Sequence, residues 1–282
     1  MTETWQELLE VASEAAAAGG EALASHWGQL RQIRSKGRLG DLVTEADLAA
    51  EARVLAVLQQ RTPHIGVLAE ESGMKAGSSS DLQWCVDPLD GTTNYAHGFP
   101  LFACSVGLLH QGTPVLGAVV APGLQQHYRG GQGLGASCNG EPLQVSSCSQ
   151  LGDALLVTGF AYDRRERIDN NYAEFCHFSH LTHGVRRGGA AALDLAFVAA
   201  GRLDGYWERG LQPWDMAAGI ALVEAAGGVV SDYNGDPIEL SSGRVLACPK
   251  AMQQPLMAGL AQCQPLPPQL YNAEIPAGAT GP

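Results

Sequence analysis

The sequence predicts an α+β fold that takes on α/β character in its second half. Three observations carry this. Two long helical periodicities open the chain, a series of short strand-like runs follows, and after residue 150 helical and strand-like patterns alternate. The first helix is expected from Glu3 to about Trp27: Trp5, Leu8, Leu9, Ala12 and Ala16 recur at helical spacing, and the alanine run favours helix. A basic, glycine-containing loop spans Arg31 to Gly40. The second helix is expected from near Thr44 to Gln60, with Leu48, Ala52, Leu55 and Leu58 on one face and Pro63 closing it. Strand-like runs then come at Ile65–Ala69, Gln83–Val86, Phe102–Leu109, Val115–Ala121 and His127–Arg129, punctuated by Gly or Pro. In the second half, helical patterns near Arg165–His180, Ala191–Ala200 and Trp214–Ala226 alternate with strand-like Leu155–Thr158, Asp204–Trp207, Val229–Asp232 and Arg244–Cys248. Residues 264–282 hold five prolines and little periodicity, and read as a flexible tail.

Composition narrows the function. At 282 residues and 45% hydrophobic, the chain can bury a sizeable core. Lys and Arg number 17 against 29 Asp and Glu, a net charge of −12. That balance argues against nucleic-acid or anionic-membrane partners, which need a basic footprint. The seven cysteines are scattered without a C-x-x-C pair, so they read as buried thiols in a reducing compartment rather than as disulfides or a zinc site. The N-terminus carries acids where a signal peptide needs cations, and no apolar run approaches the roughly 18 residues of a membrane span. The expected location is the cytoplasm.

The chemistry concentrates in Trp84-Cys85-Val86-Asp87-Pro88-Leu89-Asp90-Gly91-Thr92-Thr93-Asn94. A hydrophobic strand ends in a carboxylate, and Pro88 is expected to turn the chain out of the sheet. Asp87 and Asp90 then converge with the Leu89 carbonyl between them, a hard-oxygen donor set that suits Mg²⁺. The amides of Gly91, Thr92 and Thr93 open a helix and offer a phosphate cradle. Asp-Pro and Asp-Gly are also ordinary turn dipeptides, and Thr92 could serve only as a cap. None of the eight histidines falls in a triad-like or zinc-like pattern, and neither a Walker loop nor a nucleophile elbow is present. These residues favour attack by metal-activated water over a covalent enzyme.

The stretch Val86–Asn94 resembles a signature of the inositol monophosphatase family, the lithium-sensitive, Mg²⁺-dependent phosphatases. The family's second signature is matched by Trp214-Asp215-Met216-Ala217-Ala218-Gly219, running on to Gly227-Gly228. The resemblance covers about residues 5 to 260. It implies a five-layer α/β/α/β/α sandwich in which residues 1–263 form the catalytic domain, with lobes of roughly 1–150 and 151–263, and it implies a homodimer. It further implies that Glu70, Asp87 and the Leu89 carbonyl hold one Mg²⁺, and that Asp87, Asp90 and Asp215 hold a second, of two or three ions in all. Asp47 would bond the Thr92 hydroxyl, which orients the attacking water together with Glu70. Substrate contacts would come from Glu70, Leu89, Asp90, Gly91, Thr92, Gly189, Ala190, Ala191, Glu208 and Asp215. Asp47 also fits a capping box with Thr44, and the paired Glu70-Glu71 also fits a solvated loop. Lys36, in the preceding loop, would help hold anions. The implied substrate is a small hydroxylated phosphate ester, inositol 1-phosphate first. Ala190 stands where relatives often carry Ser or Thr, which keeps histidinol phosphate and fructose 1,6-bisphosphate open. A partner-binding role on the same fold is the alternative from another class; the presence of Asp47, Glu70, Asp87, Asp90 and Asp215 weighs against loss of catalysis.

Overall fold

The structure is a computed structural model that describes residues 3–29, 33–37, 41–79, 81–267 and 270. Helix α1 (Trp5–His26) starts at a capping box: the Glu7 amide donates to the Thr4 hydroxyl at 3.2 Å, and the Thr4 amide donates back to Glu7 at 2.8 Å. The hairpin β1 (Ile33–Ser35) and β2 (Leu42–Thr44) leads into α2 (Glu45–Arg61). The run from β3 (Gly66–Ala69) and β4 (Gly73–Lys75) through β5 (Leu82–Asp90) reaches the short helix α3 (Thr92–Ala96). Strands β6 (Ala103–His110), β7 (Thr113–Ala121), β8 (Gln126–Gly131), β9 (Gly135–Cys138) and β10 (Glu141–Pro142) complete the first half. The second half runs β11 (Leu155–Thr158), α4 (Tyr172–Leu181), β12 (Gly184–Arg186), α5 (Ala191–Ala199), β13 (Gly205–Glu208), α6 (Pro213–Ala225), β14 (Val229–Ser231), β15 (Val245–Cys248) and α7 (Gln253–Gln262).

Eight strands form one sheet in the order β10-β9-β8-β7-β6-β5-β3-β4, antiparallel except for the β3–β5 pair. A second sheet has the order β12-β11-β13-β15-β14, parallel from β12 to β13 and antiparallel beyond. Helices α1 and α2 cover the outer face of the large sheet. Helices α5 and α6 lie between the sheets, and α4 and α7 cover the far face of the small one. This is the expected α/β/α/β/α layering.

Close approach of α6 to the large sheet is made possible by glycine. A Cβ on Gly107 would lie 2.6 Å from the Ala218 amide nitrogen, and one on Gly117 would lie 2.5 Å from the Ala218 Cα. With no side chains on the strands and alanines on the helix, α6 sinks onto β6 and β7 and brings its N-terminus to the end of β5. Two buried clusters flank the large sheet, one with α1 and α2 and the other with α5 and α6. Trp84 sits in the first, fully buried, with its indole N–H donating to the Thr62 hydroxyl at 3.0 Å.

Several expectations are corrected. The buried stripe of α2 is Ala46, Asp47, Ala50, Glu51, Val54 and Leu58; Leu48 is 56% exposed. Two acids occupy core-facing positions because Asp47 and Glu51 are turned toward polar partners there, so the apolar residues misplace the face. The helix expected from Arg165 begins only at Tyr172, after a loop pinned by side chains. The chain does not leave the sheet at Pro88. β5 runs on to Asp90, with a register shift between Asp87 and Asp90 that bulges Pro88 and Leu89 out of the ladder. The hairpin β1–β2, strands β4, β9, β10 and β12, and helix α7 carry too little periodicity to be read beforehand. The tail falls outside the described residues at 268–269 and 271–282. Among the described residues, no helix is long and apolar enough to cross a membrane. The seven cysteines stand as free thiols, but only Cys85, Cys104, Cys138 and Cys248 are buried as expected; Cys148 and Cys263 are half-buried and Cys176, on α4, is exposed.

Candidate active site

The bulge at the end of β5 builds the site. It turns both Asp87 and Asp90 inward, 2% and 9% exposed, and lets the Leu89 amide donate to Asp87 Oδ1 at 3.0 Å. Gly91 follows with φ +86°, a left-handed turn that suits glycine, and caps α3. The Thr92 hydroxyl is buried between the Leu89 carbonyl at 3.0 Å and Asp47 Oδ1 at 3.3 Å. Asp47 Oδ2 accepts from the Thr44 amide (2.7 Å) and hydroxyl (2.6 Å), so one carboxylate both caps α2 and reaches Thr92. Burial pushes Asp47 up to about 6 despite those bonds.

Two helix N-termini supply the rest. The Ala192 amide at the start of α5 donates to Asp90 Oδ2 at 2.7 Å. Asp215, in the first turn of α6, accepts from the Gln212 amide at 2.7 Å. Positive helix ends therefore face both carboxylates. They do not neutralise the cluster. Burial first, then Glu70, Asp90 and Asp215, push the Asp87 carboxyl well above its usual range. Burial and Asp90 do the same to Asp215, and Asp90 is raised as well.

Glu70 and Glu71 follow β3, with Glu70 beside Asp87, and the partner of both is Lys36. Its ammonium lies 2.8 Å from Glu70 and 2.5 Å from Glu71. Lys36 thus serves here as a counter-charge to the glutamates. Among the described residues, no group of three His, Cys, Asp or Glu side chains is gathered closely enough to hold a metal ion as it stands. The donor set nonetheless fits a hard divalent cation. It is all oxygen, and burial and then neighbouring carboxylates raise Asp87, Asp90 and Asp215, a cost that a bound cation would relieve.

On the facing side, Glu208 ends β13, 8% exposed, and accepts from the Tyr206 hydroxyl at 2.7 Å. Burial pushes its carboxyl up to about 7. Gly189 and Ala190 form the turn before α5, and Asn94 Nδ2 ties that turn to α3 by donating to the Gly188 carbonyl at 2.9 Å. Ala190 is 2% exposed and Ala191 7%, so both are walls rather than polar contacts. The fold thus brings Glu70, Asp87, Asp90, Asp215 and Glu208 within range of one another's charges, and a Cβ on Gly91 would lie 3.1 Å from Ala190 and 3.3 Å from the Gly189 carbonyl.

Sequence reasoning missed Tyr162 and Asp194. Burial, and then the charges of Asp41, Glu70, Asp215 and Asp90, raise the Tyr162 phenol far above its usual value. It lies in the loop between β11 and α4, just before the segment expected to be helical. Asp194 is the lone acid of the apolar helix α5; it is buried and its Oδ2 has no partner. That isolation was the available signal.

Nine-tenths of the chain finds counterparts among known proteins. The inositol monophosphatase family profile matches residues 4–265. The chain belongs to that family, a family of phosphatases. It is 52% identical over 259 residues to an inositol-1-monophosphatase of Synechocystis, covering 92% of this chain and 89% of the relative. It is 42% identical to the Nus factor SuhB of Pseudomonas aeruginosa, over 94% of this chain and 99% of that one. A solved inositol monophosphatase from Anabaena superposes with a TM-score of 0.85 at 49% identity, covering 93% of this chain and 98% of that chain.

Proposed function

We propose that this chain is a Mg²⁺-dependent phosphomonoesterase acting on a small hydroxylated phosphate ester, with inositol 1-phosphate as the leading substrate. The observation that carries the reading is the convergence of Asp87, Asp90, Asp215 and Glu70, with the three aspartates raised by burial and then by the neighbouring carboxylates, bordered by the Thr92–Asp47 pair. The ligands would be Glu70, Asp87, the Leu89 carbonyl, Asp90 and Asp215. Mg²⁺ held there would acidify a water and neutralise charge on the phosphoryl group.

The remaining chemistry belongs to the chain. Asp47 fixes the Thr92 hydroxyl, and Thr92 with Glu70 orients the attacking water in line with phosphorus. The amides of Gly91, Thr92 and Thr93 donate to the phosphoryl oxygens. Glu208 accepts hydroxyls of the leaving polyol, while Gly189, Ala190 and Ala191 wall its ring. The same reading takes the protein as a cytoplasmic homodimer.

The test compares kcat/KM for phosphate release from inositol 1-phosphate, histidinol phosphate and fructose 1,6-bisphosphate in Mg²⁺. Turnover led by inositol 1-phosphate supports the reading. A preference for histidinol phosphate would move the substrate assignment, and absence of turnover on all three would favour a partner-binding role, as the name of the Pseudomonas relative suggests for that protein.

A further inference from the structure

Helix α5 buries one acid that the chemistry above does not use. Asp194 is the one charged residue of the helix, and its Oδ2 is buried without a hydrogen-bond partner. Its carboxyl lies directly against the turn that precedes the helix. A Cβ on Gly188 would stand 2.0 Å from Asp194 Oδ1 and 2.7 Å from Oδ2, so only a glycine lets the turn settle on the carboxyl. The next residue, Gly189, donates its amide to the same carboxyl. Burial, and then the charges of Glu208 and Asp90, push the Asp194 carboxyl well above its usual range, against the pull of Arg187 and of the Gly189 amide. A neutral acid needs no counter-charge there.

The turn is held at three points. At its start, the Gly188 carbonyl accepts from Asn94 Nδ2 at 2.9 Å, and the same nitrogen donates to the Leu101 carbonyl at 2.6 Å. Beyond its end, the Ala192 amide donates to Asp90 Oδ2 at 2.7 Å. Between these points stands Gly189, at φ +86° and with no side chain to stiffen it. Its amide is held by Asp194, and Ala190 follows it directly. Asn94 and Asp90 therefore fix the ends of the turn, and the Asp194 carboxyl fixes the middle.

We propose that Asp194 is a positioning residue for substrate specificity: its carboxyl, seated against Gly188 and bonded by the Gly189 amide, sets the height of the Gly189–Ala190 wall and so favours a phosphate ester whose alcohol is a ring over one whose alcohol is a short chain. This rests on the reading that the cleft hydrolyses a phosphate ester whose ring lies against that wall. Asp194 acts through the turn and does not touch the ester. Because Asp90 is bonded to α5 beyond the turn, loss of the Asp194 carboxyl frees the wall and leaves Asp90 in place. The effect belongs in KM and not in kcat.

The experiment measures kcat and KM in Mg²⁺ for inositol 1-phosphate, a ring, and glycerol 2-phosphate, a short chain. The proteins are the unmodified chain, Asp194→Ala, Asp194→Asn, Gly188→Ala and the double variant Gly188→Ala/Asp194→Ala, each shown folded by circular dichroism. Asp194→Ala should raise KM for inositol 1-phosphate about tenfold, with kcat and the kcat/KM for glycerol 2-phosphate each changed by less than about threefold. Asp194→Asn keeps an oxygen for the Gly189 amide and breaks no bond at Oδ2, so it should restore most of the loss. Gly188→Ala drives a methyl into the carboxyl and should raise the same KM; it carries the comparison if Asp194→Ala does not fold. The double variant gives that methyl room and should lose less than the two single losses combined. Equal losses on the two esters, a loss carried by kcat, or an Asp194→Asn variant as impaired as Asp194→Ala would overturn the positioning role and leave the phosphatase reading standing. No turnover of either ester by the unmodified protein would overturn both.

Discussion

Replacing Glu208 by Gln separates the stability of the cleft from its chemistry. Glu208 is 8% exposed, and its carboxyl titrates near 7 in the fold against 4.5 in an open chain. Because the folded pKa is raised, the folded state binds the extra proton between those values. Stability contributed by the neutral acid is full below about 4.5 and is lost as pH rises through about 7. Forcing the ionised form into the fold costs about 3 kcal/mol at pH 8.5 and about 1 kcal/mol at pH 5. A glutamine avoids that cost, and its amide oxygen still accepts from Tyr206. In urea unfolding of the metal-free protein, Glu208→Gln should therefore gain about 2 kcal/mol more over the unmodified chain at pH 8.5 than at pH 5. On the proposed function, the same variant should raise KM for inositol 1-phosphate, and leave an aryl phosphate without hydroxyls almost untouched. A stability difference that does not change with pH would refute the buried-acid argument. An equal effect on both esters would refute the polyol contact.

Other outcomes follow from the same geometry. Thr92→Val should lower kcat about a hundredfold with little change in KM, and Thr92→Ser should restore most of it, as steady-state kinetics would show. The metal-free protein should melt at lower temperature as pH rises from about 5 to 8, because the carboxyls of Asp47, Asp87, Asp90 and Asp215 are all raised in the fold. Added Mg²⁺ should raise the melting temperature more at pH 8 than at pH 5.5, by mass action on ligands that must be deprotonated; calorimetry at the two pH values tests this. Gly117→Ala should cost about 1–3 kcal/mol in urea unfolding, since the added methyl meets the Ala218 backbone.

What could be read beforehand depended on whether the signal was local. The strand into Asp87, the Thr44 cap and the helix after Trp214 each declare themselves within ten residues, and they hold most of the expected site. The bulge at Pro88 was misread because a proline's missing donor looks the same whether the chain leaves a sheet or stays in it with a shifted register. The buried face of α2 was misread because its polar members are satisfied across space: Asp47 by Thr92, and Glu51 by the Glu71 amide at 3.0 Å. Lys36 on Glu70 and Tyr162 near the carboxylates are contacts between residues 34 or more positions apart, and no periodicity carries them. Asp194 was visible as a lone acid in an apolar helix, but only the fold shows that it is buried beneath the Gly188 turn.

The most direct test of the central claim is phosphate release from inositol 1-phosphate by the purified protein with and without Mg²⁺, beside the variant Asp90→Asn. The account predicts release that requires Mg²⁺ and that falls at least about a hundredfold in Asp90→Asn, while circular dichroism shows the variant folded. Release that persists in EDTA, or near-normal release by Asp90→Asn, would contradict it.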